Sequence, residues 1–175
     1  MREILFRAKQ KDKGNWVEGY YIRQDETTYC FKEDYERHPE NTKHYIVFDM
    51  PTDWGLPNRH LMAEIDPETI CQYTGLKDKN GNRIFEGDIF EFDDEVWESS
   101  NTECGTEYDS WDVKNYGAVG YCDYSARFDF AEYKYNENSV EADLHENNTL
   151  DFVEFVSELE VCGNIFDNPE LLKGE

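Results

Sequence analysis

Carboxylates are the side chains of this sequence with the greatest capacity for chemistry. The chain of 175 residues carries 40 Asp and Glu against 17 Lys and Arg, a formal net charge of −23. The run Asp93-Asp94-Glu95 has the residue types of a glycosidase pair or a calcium site. Two catalytic carboxylates must flank a substrate on a rigid scaffold, and adjacent residues in a charged segment do not meet that requirement. We therefore expect this run to lie in a solvated loop.

A second acidic segment, Asp78-Lys79-Asn80-Gly81-Asn82, has the composition of a calcium-binding loop. An EF-hand loop needs glycine at its sixth position and Glu at its twelfth, whereas Gly81 is only the fourth residue from Asp78. The segment is instead predicted to be a hairpin turn. Asn80 and Gly81 would occupy the centre of a type I′ turn, because both residue types tolerate positive φ.

Metal ligands and nucleophiles are scattered. A zinc site normally shows at least one close cysteine pair, and this sequence has no C-x-x-C pair among its five cysteines. No His lies in a nucleophile-elbow or metalloprotease context, and there is no P-loop or dinucleotide-binding motif. The sequence therefore predicts no metal site and no cofactor, and it offers no positive evidence for an enzyme. The cysteines and histidines considered as metal ligands or nucleophiles are Cys30, Cys71, Cys104, Cys122, Cys162, His38, His44, His60 and His145.

The negative charge is concentrated in one half of the chain. Residues 1–83 contain 13 basic and 15 acidic residues, whereas residues 84–175 contain 4 basic and 25 acidic residues. Self-repulsion of this size destabilises a compact state unless the carboxylates face solvent or bind something positive. Three interpretations stay open: a solvated face that maintains solubility, a surface for a basic partner, or a cation site.

The charge also bears on the partners to expect. Binding to a phosphate backbone needs a surface rich in Lys and Arg, and an anionic membrane surface repels an acidic protein. We therefore expect no direct nucleic-acid binding and no membrane docking. No apolar stretch approaches the length that spans a bilayer, and no secretory signal pattern follows Met1, so we expect a cytoplasmic protein.

Short strands separated by turns are predicted to position these residues. Residues 152–166 place their apolar side chains at alternate positions, which indicates a long strand with one buried face. A short C-terminal helix is expected, with Asn168 as N-cap and Pro169 as its first residue. The predicted strands cover 4–8, 16–22, 27–31, 45–48, 85–92, 116–124, 127–135 and 152–166. The predicted turns and loops cover 11–15, 32–43, 51–57 and a long acidic excursion at about 93–114, and residues 140–145 form a weak helix or turn.

This pattern of many short strands, frequent turns and little helix favours an antiparallel, partly open barrel. Gly87 interrupts the strand at 85–92, as a glycine at a bulge or barrel corner does. A DNA-binding helix-turn-helix at 69–76 is disfavoured, because a hairpin turn follows Gly75 where the recognition helix should be. The predicted fold class is therefore mainly β.

Three blocks of sequence resemble the YopX family of phage and prophage proteins. They are Ile4-Leu5-Phe6-Arg7-Ala8 with Trp16-Val17-Glu18-Gly19; residues 69–81 running into Ile84-Phe85-Glu86-Gly87-Asp88-Ile89; and residues 159–172. The resemblance implies a single mainly β pseudo-barrel domain over residues 1–175, with a capping helix, and no catalytic residue to carry over. Family members are commonly shorter between the second and third blocks, so the acidic stretch at about 93–114 is interpreted as an insertion.

The signature residues of these blocks are mostly types that shape a backbone. Gly suits turns, bulges and close approach, and Asn168-Pro169 begins a helix. A signature of this kind describes a backbone more than an active site. Its members are Tyr73, Thr74, Gly75, Lys77, Asp78, Asn80, Gly81, Gly87, Asp88, Gly163, Asn164, Asn168 and Pro169.

The leading functional hypothesis is a phage-encoded binding protein that engages a basic protein partner in the host cytoplasm. Its candidate surface is the acidic excursion. A structural, self-assembling phage protein is the alternative, because exposed aromatic residues and edge strands favour self-association, and an enzyme comes third. The candidate surface consists of Asp93, Asp94, Glu95, Glu98, Glu103, Glu107, Asp109 and Asp112.

Overall fold

Antiparallel strands make up most of the computed structural model, which describes residues 3–102, 105–134 and 152–173. For residues 94–99, 101–102, 105–109 and 131–134 only the backbone is described. The strands are β1 (Phe6–Lys9), β2 (Trp16–Asp25), β3 (Thr42–Met50), β4 (Arg59–Glu64), β5 (Cys71–Lys77), β6 (Arg83–Phe85), β7 (Asp88–Thr102), β8 (Gly105–Cys122), β9 (Arg127–Lys134) and β10 (Val161–Asn164). The helices are α1 (Lys32–Arg37) and α2 (Phe152–Glu158), with 3₁₀ turns at Pro39–Asn41, Pro67–Thr69 and Pro169–Leu172. The prediction of a mainly β, partly open antiparallel architecture with little helix is confirmed.

The chain divides into two compact units, Met1–Gly75 and Leu76–Glu175, which we call unit 1 and unit 2. The expectation of a single domain over residues 1–175 stays a prediction. Unit 2 begins within the last residues of β5, and it contains most of the predicted signature and all of the acidic excursion.

Unit 1 is an antiparallel sheet in the order β4-β3-β2-β1-β5. The predicted first hairpin is confirmed, with Phe6 opposite Gly19 and Lys9 opposite Trp16. The sheet curls until the end of β1 meets the end of β4, where Gln10 and Ile65 form a bridge. Its core consists of Ala8, Ile46 and Ile65, packed by Phe6, Val17, Tyr21, Phe48 and Ile70. Complete burial of a side chain such as Ile46 stabilises the unit by about 1.5–3 kcal/mol.

Unit 2 is a four-stranded antiparallel sheet in the order β10-β7-β8-β9. Helix α2 covers its apolar face, because Phe152 and Val156 are four residues apart and both are buried. The ring of Phe130 lies edge-on to that of Phe152, with 5.3 Å between centroids. The core cluster comprises Ile84, Phe90, Val119, Phe128, Phe130, Phe152 and Val156.

The long strand predicted over residues 152–166 is wrong. The segment forms α2, a bend and then β10. Over so short a segment, apolar residues two and four positions apart fit both the two-residue period of a strand and the 3.6-residue period of a helix. Packing against the core of unit 2 selects the helix. Val153, which a strand would bury, is 45% exposed, whereas Val156 is completely buried.

The predicted loop at 32–43 is also wrong, because α1 and a 3₁₀ turn lie there. No residue of α1 is buried, so the hydrophobic pattern carries no helical signal. Local contacts support the helix instead, including the Lys32–Glu36 ion pair and the bond from the Tyr29 amide to the Tyr35 hydroxyl. The strand predicted at 27–31 is absent from the described structure, and β4 was not predicted.

The acidic excursion is not a loop. Residues 93–102 belong to β7 and 105–114 to β8, so the excursion is an extended hairpin that continues two core strands. Strand β7 pairs with β8 from Ile89 opposite Ala118 to Thr102 opposite Gly105. Backbone pairing propagated from the core outweighs the local preference of charged residues for solvated loops. The helix or turn predicted at 140–145 lies outside the described residues.

Candidate functional site

The turn between β5 and β6 is organised by the carboxylate of Asp78. Its Oδ1 accepts hydrogen bonds from the amides of Asn80 at 2.9 Å and Asn82 at 2.8 Å, and its Oδ2 accepts one from the Asn82 side chain at 3.0 Å. Gly81 has φ of +83°, whereas Asn80 does not have positive φ. The predicted type I′ turn is therefore wrong, and a left-handed glycine after the turn, as in a G1 bulge, replaces it.

Asp78 is buried, with 5% of its surface exposed. Burial by itself raises the pKa of its carboxyl, but the hydrogen bonds from Asn82, Asn80 and the backbone of Val161 outweigh that effect and hold the pKa below its ordinary value. Because Val161 lies in β10, the carboxylate links the turn to the last strand. The bond from the Lys79 amide to the Leu159 carbonyl, at 2.9 Å, adds a second link.

The turn between β6 and β7 places Gly87 and Asp88. Gly87 has φ of +76°, and a Cβ atom there would lie 3.1 Å from Cγ1 of Ile165. Asp88 is 1% exposed, and its carboxylate accepts a hydrogen bond of 2.8 Å from the Phe85 amide. Glycine is needed here for both the backbone conformation and the close approach.

The C-terminal block forms a second tight corner. Oδ1 of Asn164 accepts from the amides of Phe166 at 3.0 Å and Asp167 at 2.9 Å. A Cβ atom on Gly163 would lie 2.7 Å from Oδ1 of Asn168, so the corner closes only over glycine. Asn168 and Pro169 begin the 3₁₀ turn as predicted, although no side-chain bond from Asn168 caps it.

The structure brings the signature positions of unit 2 together. Asn164 is the register partner of Asp88, and the Ile165 amide donates to the Gly87 carbonyl at 2.8 Å. Three signature residues lie in β5 instead: Tyr73 and Thr74 are buried and Gly75 has φ of +90°. Lys77 ends that strand, exposed. We call the assembled corner of residues 78–82, 86–88 and 159–168 the signature junction.

The signature junction is a structural brace. The Asp78 carboxylate accepts the backbone amides of Asn80 and Asn82, and the Asp88 carboxylate accepts that of Phe85, so both carboxylates are engaged in holding the turns. Residues 78–88 and 159–168, about 70 residues apart in sequence, are both rich in Gly, Asn and Asp. Both segments form tight turns at the same junction. Phe85 and Ile165, which these turns hold, were not singled out from the sequence, because each contributes only a backbone amide or an apolar contact.

The acidic hairpin carries a different arrangement. On β7, the side chains of Glu91 and Asp93 share one sheet face, since side chains alternate along a strand. The register places Asp93 opposite Lys114 and Glu95 opposite Asp112. The side chains of Asp93 and Asp112 are exposed, whereas Phe92 and Val113 on the other face are buried. We call this outward face of β7 and β8 the acidic face.

Hydrogen bonds join Glu91, Lys114 and Tyr116 into a network at the base of the acidic face. Glu91 accepts hydrogen bonds from Lys114 and from the Tyr116 hydroxyl at 2.8 Å. The Lys114 ammonium, followed by the Tyr116 hydroxyl, lowers the pKa of Glu91, and the hydrogen bond to Glu91 raises the pKa of Tyr116. Sequence reasoning missed Glu91 and Tyr116, although their alternation with buried residues was a usable signal.

The remaining predicted surface residues lie further along the hairpin. Glu98 is the register partner of Asp109, Ser100 of Glu107, and Asp94 of Val113. Glu103 lies outside the described residues. The described part of the chain holds no group of three His, Cys, Asp or Glu arranged to bind a metal. Among the same residues, neither helix has the length and apolar character needed to cross a membrane.

Comparisons with known proteins concern the whole chain. The family described as "YopX protein" matches residues 5–173. The solved structures include a similar chain, the crystal structure of protein EF1440 from Enterococcus faecalis, at 22% sequence identity and a TM-score of 0.44, covering 99% of this chain and 100% of that one. None of the curated proteins compared with the chain matches it. Because the family match extends over nearly the entire length and covers the three blocks from Leu5 onwards, this chain belongs to the YopX protein family.

Proposed function

We propose that this chain is a phage- or prophage-encoded binding protein that acts in the cytoplasm of the bacterial host. Its acidic face would engage a basic surface of a host protein. The observation that carries the proposal is the cross-strand register of the hairpin, which pairs Glu95 with the exposed Asp112, two positions along β7 from the exposed Asp93.

Like charges directly opposite one another in a sheet are destabilising. A hairpin with this register is therefore costly for the isolated chain, and a positive partner offsets that cost on binding. Lys114 is the cation at this site, and its ammonium is already engaged by Glu91. Asp112 forms no salt bridge within the part of the chain that the structure describes. Asp93 lies opposite Lys114 and interacts with its ammonium only at longer range than Glu91 does, so both carboxylates are incompletely neutralised.

The charge difference between the units supports the same proposal. Unit 1 contains 10 basic and 14 acidic residues, whereas unit 2 contains 7 basic and 26 acidic residues. Complementary charge speeds encounter and selects partners more than it adds affinity. We therefore expect a fast-associating, salt-sensitive complex with a strongly basic protein, such as a nucleic-acid-binding protein whose DNA this face would mimic.

The test compares two double variants with the same change of charge. Asp93→Asn with Asp112→Asn alters the acidic face, and Glu154→Gln with Glu158→Gln alters exposed carboxylates of α2 as a control. The wild type is expected to retain basic host proteins from lysate at low salt and release them at high salt. With a purified retained protein, the first variant should bind several-fold more weakly and the control should match wild type. Equal binding by both variants, or salt-insensitive retention, would contradict the proposal.

Self-assembly as a structural phage protein is the second candidate. Large apolar side chains are exposed in unit 1, including Tyr20 at 59%, Met62 at 53% and Trp54 at 103%, and exposed apolar patches favour association. Light scattering on the purified protein decides this case. A monomer at tens of micromolar would remove the second candidate, whereas a defined oligomer disrupted by Trp54→Ser would favour it.

A further inference from the structure

Strand β4 has one open edge in unit 1. The Ile65 amide donates to the His44 carbonyl at 2.9 Å, so alternate residues of β4 direct their backbone groups towards β3. In an antiparallel ladder the backbone groups of successive residues point to opposite sides of the strand. The amides and carbonyls of His60, Met62 and Glu64 therefore point away from β3. These outward amides and carbonyls are the groups to which another strand can pair.

The chain itself covers this edge at one end only. The Lys11 amide donates to the Glu64 carbonyl at 3.0 Å, and the Asp66 amide donates to the Lys9 carbonyl at 2.9 Å. The chain then turns back, with the Gly14 amide bonded to the Gln10 carbonyl at 2.8 Å. Across the described residues, β4 pairs with β3 alone, so the outward backbone groups of His60 and Met62 receive no strand.

A cleft of about 560 Å³ opens where this internal pairing stops. Its walls include Met62 and Glu64 from the edge, Lys11 and Lys13 from the turn, and Lys43 from β3. This volume falls within the range of specific ligand sites, and it is suited to a few residues of extended peptide. The cleft therefore begins beside Lys11 and reaches Met62, the first outward residue of β4 beyond the pairing with Lys11.

The cleft is positive in a chain whose net charge is −23. Lys11 and Glu64 form an ion pair at 2.9 Å, and Asp12 is the other carboxylate of the lining. Lys13 is exposed and Lys43 half-buried, and neither forms a salt bridge within the part of the chain that the structure describes. Both ammonium groups line the end of the edge where a strand would enter, and that of Lys43 also acts on the Glu64 carboxylate, whose pKa it helps to lower.

We propose that an extended acidic peptide segment of a partner protein adds as a strand to β4. It would pair with the backbone of His60 and Met62, continuing the pairing that Lys11 begins, and place carboxylates beside Lys13 and Lys43. In strand addition, main-chain hydrogen bonds supply affinity and side-chain contacts supply specificity. This site lies in unit 1, so it does not depend on the acidic face of unit 2.

The test uses a blocked peptide of alternating glutamate and valine, EVEVE, titrated calorimetrically into the full chain. Met62→Pro removes an outward amide and leaves the β3–β4 ladder bonds of residues 61 and 63 in place, since proline is tolerated where the amide of an edge strand faces solvent. This variant should bind about tenfold more weakly, and clearly more weakly than Met62→Ala, which keeps the amide and loses only the side-chain contact with the cleft wall. A peptide N-methylated at its central residue should also bind wild type about tenfold more weakly, which tests pairing without altering the protein.

A second pair of variants tests the charge. Lys13→Gln with Lys43→Gln should weaken binding of EVEVE and flatten its salt dependence, while Lys32→Gln with Arg37→Gln on α1 should leave both unchanged. Equal affinity of the N-methylated peptide, or absence of saturable binding at millimolar EVEVE, overturns the proposal. Inorganic phosphate that displaces EVEVE, together with unchanged binding by Met62→Pro, would identify a small-anion site instead. A dimer that buries β4 before peptide is added would equally overturn the proposal.

Discussion

Replacing Asp78 by Asn isolates the bonds that hold the signature junction together. The carboxylate accepts two backbone amides on Oδ1 and the Asn82 amide group on Oδ2. The Asn side chain keeps one acceptor oxygen, but its NH₂ group takes the place of Oδ2. That NH₂ group would then face the donor that Oδ2 previously accepted. Hydrogen bonds to a charged group contribute about 1.5–3 kcal/mol each. The Val161 amide is a further donor to this carboxylate. With at least one of these bonds lost and the others weakened, we expect Asp78→Asn to lower the free energy of unfolding by about 2–4 kcal/mol.

The pH dependence of this loss has a definite sign. The folded pKa of Asp78 lies below its ordinary value of 3.8, so the folded state favours the ionised carboxyl. Its contribution is fully present above the unfolded pKa and is lost as pH falls through the folded pKa. The difference in stability between wild type and Asp78→Asn should therefore be constant above about pH 5 and shrink below that.

The assay is urea unfolding followed by far-ultraviolet circular dichroism at neutral and acidic pH. Amide hydrogen exchange at Val161 provides a local measurement, because the Asp78 carboxylate accepts from that amide. Asp123→Asn is the matched control, since Asp123 is exposed and the change of charge is the same; we expect it to alter stability by less than about 0.5 kcal/mol. If Asp78→Asn costs no more than this control, or leaves exchange at Val161 unchanged, the bonding assigned to the junction is wrong.

Two further predictions concern unit 2. Gly163→Ala should lower the free energy of unfolding by about 1–3 kcal/mol, measured with urea, because its Cβ would lie 2.7 Å from Oδ1 of Asn168. Adding Asn168→Ala should recover part of that loss. If the effects of the two substitutions on stability simply add, the steric cause is wrong. Cys122 should be alkylated by iodoacetamide faster than Cys162 at mildly alkaline pH, because the Ser125 hydroxyl lowers the pKa of Cys122. Cys162 is exposed as a residue, but its thiol donates to the Ile89 carbonyl at 3.2 Å, and partial desolvation raises the pKa of that thiol. Ser125→Ala should slow the alkylation of Cys122. Mass spectrometry of the proteolytic peptides that contain Cys122 and Cys162 measures both alkylation rates.

Local signals predicted the parts of the fold that depend on few residues. The turn at 11–15 between two apolar runs produced the first hairpin, and Asn168-Pro169 marked the start of the last 3₁₀ turn. Where two periodicities competed, local pattern was insufficient. Residues 152–166 alternate well enough for a strand, but the contacts of Phe152 and Val156 with the unit 2 core decide for a helix.

Residue types also identified most of the signature junction before its geometry was known. Asp78, Gly87 and Gly163 stood out, yet their contacts could not be read from the chain. Val161 follows Asp78 by 83 positions, and no sequence spacing predicts that its amide meets that carboxylate. Such pairings depend on register between distant strands, which is set by how whole strands bury their apolar faces.

The sequence by itself determined the mainly β class, the family, the position of the negative charge and the residues that bend the backbone. These properties follow from composition and from neighbours along the chain. Only the tertiary structure decided that the acidic excursion is a pair of strands with Glu95 opposite Asp112, and that β4 has an open edge beside three lysines. The reason is that register and edge exposure arise from long-range pairing, in which each strand's partner is chosen by the burial of the entire sheet.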